Sequence, residues 1–169
     1  MYTRAEQKGG TRMKRTMLLI ASMTLALVVV AGVALAQDGV RKVCDTNCEG
    51  TDGDDHLIGT ANPNTIRGLK GADLIEGKGR HDTLYGGAGG DAVYGGSGED
   101  EAYGGGANDY VDGGYAEDYV ATGSGDDAVA ARDGFEDQIY CGDGYDRVYV
   151  DRIDVLHECE KKLADKPQP

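Results

Sequence analysis

From Gly50 onward the chain repeats itself every nine residues, and no gap interrupts the count until Ala130. The units read GTDGDDHLI, GTANPNTIR, GLKGADLIE, GKGRHDTLY, GGAGGDAVY, GGSGEDEAY, GGGANDYVD, GGYAEDYVA and TGSGDDAVA. The tenth, ARDGFEDQIY, carries one extra residue, and the eleventh, CGDGYDRVY, returns to pattern at Cys141. A fixed short period marks stacked units that touch only their neighbours. Two columns run in register through it. The sixth position reads Asp55, Asn64, Asp73, Asp82, Asp91, Asp100, Asp109, Asp118, Asp127, Asp137 and Asp146. The eighth reads Leu57, Ile66, Ile75, Leu84, Val93, Ala102, Val111, Val120, Val129, Ile139 and Val148. Glycine-rich acidic disorder would bias the composition without keeping such a register.

The pattern predicts an all-β fold. Positions one to six read as a turn and positions seven to nine as a short strand, with position eight inward and positions seven and nine outward. Two successive units make one coil of a flattened helix, each strand falling in one of two facing parallel sheets. The core expected is a single aliphatic column from each sheet. One such residue per nine is little apolar burial for a chain with 28 Gly, whose ordering is entropically expensive. A second stabiliser is required, and the Asp column supplies a candidate. Ca²⁺ takes 6–8 oxygen ligands from carboxylates and carbonyls in adaptable geometry, whereas Mg²⁺ demands a strict octahedron.

Turns alternate between the two edges, so neighbours along an edge lie two units apart. One edge is expected to carry Asp55, Asp73, Asp91, Asp109, Asp127 and Asp146, the other Asn64, Asp82, Asp100, Asp118 and Asp137. Apart from the neutral Asn64, these are the candidate metal ligands. The carbonyls expected to join them belong to Gly68, Gly71, Gly86, Gly87, Gly89, Gly95, Gly96, Gly98, Gly104, Gly105, Gly123 and Gly125. Position four departs from glycine at Asn62, Arg80, Ala107 and Ala116, where a left-handed backbone costs roughly 1–2 kcal/mol. Weaker sites are expected at those turns.

Gly86–Tyr94 fits G-G-x-G-x-D-x-U-x in full, and Gly95–Tyr103 fits except for the small Ala102. On these residues the chain resembles the RTX (repeats-in-toxin, hemolysin-type) calcium-binding nonapeptide-repeat family. The resemblance covers about residues 50–149. It implies a parallel β-roll of about eleven repeats, loaded with several Ca²⁺ ions, disordered without them and folded outside the cell.

The flanks agree with an exported protein. Arg12, Lys14 and Arg15 precede the apolar run Met17 to Ala36, which closes on Ala34-Leu35-Ala36. This reads as a signal peptide over residues 1–36, with Met13 an alternative start. The competing reading is an uncleaved segment that anchors the chain in a membrane. Without residues 1–36 the chain keeps 12 Lys and Arg against 29 Asp and Glu, a net −17. That charge excludes nucleic acid and anionic membranes as partners and favours multivalent cations. Residues 37–49 and 150–169 read as end caps. Cys44, Cys48, Cys141 and Cys159 form an even set that suggests disulfides in an exported chain. Three pairings are open. The local ones, Cys44–Cys48 and Cys141–Cys159, would tie one end each, and the second is the pairing expected for the C-terminal cap.

No catalytic constellation appears. Ser97 and Ser124 lie in turns outside any G-x-S-x-G, and His56, His81 and His157 have no nucleophile beside them. The expectation is a non-enzymatic protein. The tyrosines are not demanded by the repeat: Tyr85, Tyr94, Tyr103, Tyr140 and Tyr149 at position nine, Tyr110 and Tyr119 at position seven. Cross-strand packing explains them. A stacking surface for cell-wall or matrix polysaccharide, or an enzyme acting on one, is the alternative.

Overall fold

A computed structural model describes residues 39–159. The expected signal segment 1–36 and the tail beyond residue 159 lie outside the described residues. The described part contains fourteen strands and no helix. β1 (Arg41–Val43), β3 (His56–Ile58), β5 (Leu74–Gly79), β7 (Ala92–Ser97), β9 (Tyr110–Tyr115), β11 (Ala128–Ala131) and β13 (Arg147–Val150) form one sheet in that order. β2 (Asn47–Glu49), β4 (Thr65–Lys70), β6 (Thr83–Ala88), β8 (Glu101–Gly106), β10 (Tyr119–Ser124), β12 (Gln138–Asp143) and β14 (Val155–His157) form the second. Every pairing is parallel, as the uniform strand direction requires. This is the two-sheet β-roll, with one strand per repeat. Eleven strands, β3 to β13, are the eleven repeats. The other three come from the flanking segments.

The register is the nine-residue period doubled. Ile75 faces Val93, and Val93 faces Val111, each eighteen residues on. Across the tenth unit the step becomes nineteen, with Val120 opposite Ile139 and Val129 opposite Val148, and at the last pair, Ile139 opposite Leu156, it is seventeen. The extra residue of that unit is therefore absorbed in a turn, and the ladders on both sides of it stay aligned. All eleven position-eight side chains, Leu57 through Val148, are fully buried and form one continuous core between the sheets. Positions seven and nine face out.

The strands are longer than expected. In eight of the eleven, β4 to β10 and β12, the strand spans six residues where three were read, running from position seven through position three of the next unit, so that only positions four to six turn. The pairing skips position one: Glu76 pairs with Tyr94 and Lys78 with Gly96, while Gly77 and Gly95 drop out of the ladder. The glycine-rich positions two and three carry little strand propensity, but in a parallel stack the neighbouring coil supplies their hydrogen-bond partners. Both expected disulfides are present, Cys44–Cys48 at the first coil and Cys141–Cys159 at the last.

Shortening one core side chain removes contacts to both neighbouring coils as well as to the facing sheet. Ile75→Ala is expected to cost roughly 2–5 kcal/mol, read as a lowered thermal midpoint of the folded roll. Leu69→Ala, at an exposed site, should change it far less.

Candidate metal centre

Position six immediately precedes each strand, and its side chain is buried like those of position eight. All ten of the expected aspartates and Asn64 are buried, at no more than 4% exposure. Their Oδ1 atoms are tied into two ladders. The backbone N–H of Asp55 donates to Asp73 Oδ1 (2.7 Å), Asp73 to Asp91 (2.8 Å), Asp91 to Asp109 (2.8 Å), Asp109 to Asp127 (2.7 Å) and Asp127 to Asp146 (2.9 Å). Along the other edge Asn64 donates to Asp82 (2.7 Å), Asp82 to Asp100 (2.7 Å), Asp100 to Asp118 (2.8 Å) and Asp118 to Asp137 (2.8 Å). The two edges hold the residues expected of them.

The second ladder runs one step further, from the Asp137 N–H to Asp154 Oδ1 at 3.3 Å. Asp154 was missed because the count of nines stops at Tyr149. The run Asp154-Val155-Leu156-His157 repeats the D-x-U-x half of the motif and would have given it.

The other carboxylate oxygen is unsatisfied. Oδ2 of Asp73, Asp82, Asp91, Asp100, Asp109, Asp118, Asp127 and Asp146 is buried without a hydrogen-bond partner. A buried polar atom left so is costly, and more so when charged. Burial accordingly raises the carboxyl pKa of Asp82 and Asp91 to about 6, of Asp100, Asp109 and Asp137 to about 7, and of Asp118 to about 8. The ladder hydrogen bonds oppose this in each case but do not offset it.

The glycine at position one, present in the first eight units, explains where Oδ2 sits there. A Cβ on Gly86 would stand 2.5 Å from Asp91 Oδ2 and 2.5 Å from the carbonyl oxygen of Gly104 in the next coil. Gly68, Gly77 and Gly95 repeat the arrangement with Asp73 and Gly86, Asp82 and Gly95, and Asp100 and Gly113. The glycine is needed there for its missing side chain, since that space holds two oxygen acceptors with no hydrogen between them. Left-handed φ belongs to positions two and four, as at Gly87 (122°) and Gly89 (136°).

The carbonyls of positions two and four lie in separate columns, against the same position of the next coil: Gly71 against Gly89, Gly87 against Gly105 and Gly105 against Gly123. The carbonyls expected from the sequence thus fall into two groups. Gly68, Gly86, Gly95 and Gly104 face the carboxylates, while Gly71, Gly89, Gly98 and Gly125 lie in the turns and Gly87, Gly96, Gly105 and Gly123 near the strand ends that lead into them. Arg80 (φ 71°), Ala107 (79°) and Ala116 (102°) adopt the left-handed backbone of the glycines they replace, and the Arg80 and Ala107 carbonyls meet Gly98 and Gly125 in the same manner. Those substitutions add strain without redirecting the carbonyl. Among the described residues no three His, Cys, Asp or Glu side chains converge. Any cation held here would draw on backbone oxygens as well as carboxylates, which is the donor set of a hard ion such as Ca²⁺.

The ends differ from the middle. Both oxygens of Asp55 are used: Val40 N–H donates to Oδ1, and Thr51 supplies its N–H (2.5 Å) and hydroxyl (3.2 Å) to Oδ2. Asp154 Oδ2 accepts from the Asp151 N–H at 2.5 Å. The Asn64 amide donates to the Cys44 and Thr46 carbonyls (3.2 and 3.4 Å), while its oxygen accepts from Thr60 N–H (2.7 Å).

On the outer face of the second sheet, Tyr85 and Tyr103 stack at 4.9 Å with 8° between ring planes. Their faces are turned on one another along the stack, which is cross-strand packing. His56 pairs with Glu76 (2.7 Å), His81 with the Glu99 carbonyl (3.0 Å), and His157 stacks on Tyr140.

The fold and its turns define a nonapeptide β-roll with a carboxylate ladder along each edge. Residues 49–84, 70–102 and 94–129 match the model of the RTX calcium-binding nonapeptide repeat, in 4 copies. Residues 49–129 are thus repeats of that family. No curated protein and no solved structure matches it.

Carboxyls whose pKa is raised in the folded state bind protons more tightly folded than unfolded. Their contribution to stability is complete below the ordinary 3.8 and is lost as pH rises through the folded values, about 6 for Asp91 to about 8 for Asp118. With divalent ions chelated, strand content measured by circular dichroism should therefore rise as pH falls across that window. Asn64 offers a second check. Asn64→Ala should lower the stability of the calcium-saturated roll by roughly 1–3 kcal/mol, because it takes the Asn64 amide from the Cys44 carbonyl and the Thr60 N–H, read as a lowered thermal midpoint.

Proposed function

We propose that the chain is an exported, non-enzymatic calcium-binding protein whose repeat region folds when it takes up extracellular Ca²⁺. The observation that carries this reading is the row of eight buried Oδ2 atoms without partners, in repeats of a calcium-binding family. Each of these oxygens faces inward in a chain of net charge −13, so the folded coil gathers carboxylate oxygens that no donor among the described residues satisfies. Bound calcium supplies positive charge and coordination to the carboxylates of Asp73, Asp82, Asp91, Asp100, Asp109, Asp118, Asp127 and Asp146. Carbonyls of the glycine turns complete the donor set. Asp137 continues its ladder and is a weaker candidate, since its Oδ2 is not among the orphans. Asp55 is withdrawn from the candidate ligands, because protein donors already engage both of its oxygens.

Two further features support export. The cysteines are paired, as suits an oxidising compartment, and a leader-like segment precedes the repeats. Affinity suited to extracellular calcium implies a Kd on the order of 10⁻⁴–10⁻³ M. Because each coil contacts only its neighbours, binding and folding should be cooperative along the array.

The test is a calcium titration of the chelator-stripped chain followed by circular dichroism. The expected result is a coil spectrum that converts to strand in a steep transition, with Asp91→Asn shifting the midpoint to higher calcium. A spectrum equally strand-rich in excess chelator at neutral pH would refute folding by calcium.

A further inference from the structure

The outer face of the second sheet carries an aromatic row with no part in the turn chemistry. Arg67 lies over Tyr85 at 4.9 Å, followed by Tyr85–Tyr103 (4.9 Å), Tyr103–Tyr119 (5.7 Å), Tyr119–Tyr140 (5.1 Å) and Tyr140–His157 (4.2 Å). Tyr119 comes from position seven and the others from position nine. It fills the gap left by Ala121, which pairs with Tyr103 on one side and Tyr140 on the other. The row therefore crosses five strands without a break.

Within it, Tyr85 and Tyr103 are the closest tyrosine pair and the only near-parallel one, at 8° against 46° and 32° for the next two. They sit directly opposite each other on adjacent strands, so both rings project the same way and their hydroxyl-bearing edges lie side by side. Both are half-buried and keep an edge in solvent. The Tyr103 hydroxyl donates to the Glu101 carboxylate at 3.3 Å, which gives its proton an acceptor.

The rest of the roll offers an oxidant little else. The chain has no Trp, and its four Met all precede residue 24. Its four Cys are in disulfides, with none free. Tyrosine is thus the most easily oxidised side chain in residues 39–159, and the row offers a path along which a radical formed at one ring can move to the next.

We propose that Tyr85 and Tyr103 form an oxidative cross-linking site, at which a peroxide-driven one-electron oxidant such as a haem peroxidase joins two adjacent coils through a dityrosine bond. Each phenol gives up one electron and one proton, and at Tyr103 the proton passes to Glu101. The two phenoxyl radicals couple between ring carbons ortho to oxygen, forming one C–C bond. Each ortho hydrogen then moves to its phenol oxygen as aromaticity is restored. Two tyrosines have lost one hydrogen each, and one hydrogen peroxide has become two waters. The bond closes an eighteen-residue loop that spans one full coil. The inference depends on coils stacked in register and is independent of what neutralises the Asp ladder.

The experiment treats the folded chain in calcium buffer with a haem peroxidase and limiting peroxide. Dityrosine fluorescence is followed, and the product is cleaved at Asp and Glu for mass spectrometry. The expected result is an intrachain cross-link, two hydrogens lighter, between the Tyr85 and Tyr103 peptides. It should be lost in Tyr103→Phe, and should form several-fold more slowly in Glu101→Gln at unchanged strand content. Tyr145→Phe, at an exposed turn on the other edge, should leave the yield unchanged. If Tyr103→Phe loses strand content, Tyr85→Phe serves in its place. Absence of dityrosine in the wild-type chain, cross-links only between chains, or coupling at the tilted Tyr94–Tyr110 pair instead would overturn the proposal.

Discussion

Each repeat turns on a carboxylate that is half used. From Asp73 onward, one oxygen of each ladder aspartate accepts the backbone N–H of the position-six residue one coil earlier, which sets the height of one coil on the next. In the middle coils the other oxygen lies in the space that a glycine without a side chain leaves open, and Oδ2 of eight ladder aspartates finds no donor. The interaction that aligns the coils is therefore also what gathers like charges inside the protein. Apolar packing is limited to one column per sheet and cannot offset this alone. The same geometry that makes the stack regular makes it dependent on something that neutralises the carboxylates.

The two ends show how such an array stops. At Asp55 and Asp154 backbone N–H groups, helped at Asp55 by a threonine hydroxyl, take the role left open in the middle. At Asn64 the ligand itself is altered, so that an NH₂ group reaches carbonyls where a carboxylate would repel them. These three positions need no added charge, and two of them lie beside the Cys44–Cys48 disulfide at the first coils. Along the second ladder the open sites are bracketed by closed ones, much as solenoid repeats end in units that do not expose an unsatisfied face, whereas the first is closed at Asp55 and ends on the open Asp146.

The fold was legible in the sequence because two columns, Asp at position six and an aliphatic residue at position eight, stay in phase for eleven units. They determine which residues share a sheet, which share an edge and which lie inside. The strand lengths were not legible. Gly86-Gly87-Ala88 has no local tendency to extend, and it pairs only because Leu69-Lys70 and Gly105-Gly106 stand on either side. The two reasons for glycine were not separable either, since a letter does not say whether it serves for its φ or for its absent Cβ. Arg80 and Ala107 looked like broken turns, yet their backbones follow the neighbouring glycines. Asp154 lay beyond the count, although its local pattern was visible.

The eighteen-residue offset also governs how such a chain can change length. Removing a whole coil would bring equivalent side chains back over one another, and both ladders would close up around the cut. Removing nine residues would rotate everything downstream by half a turn. Asp146 would then continue the edge that now belongs to Asp137, and Tyr140 would leave the aromatic row for the opposite face. Lengths that preserve the two faces thus come in steps of eighteen. The single extra residue in the tenth unit is tolerated because a turn takes it up without altering that phase.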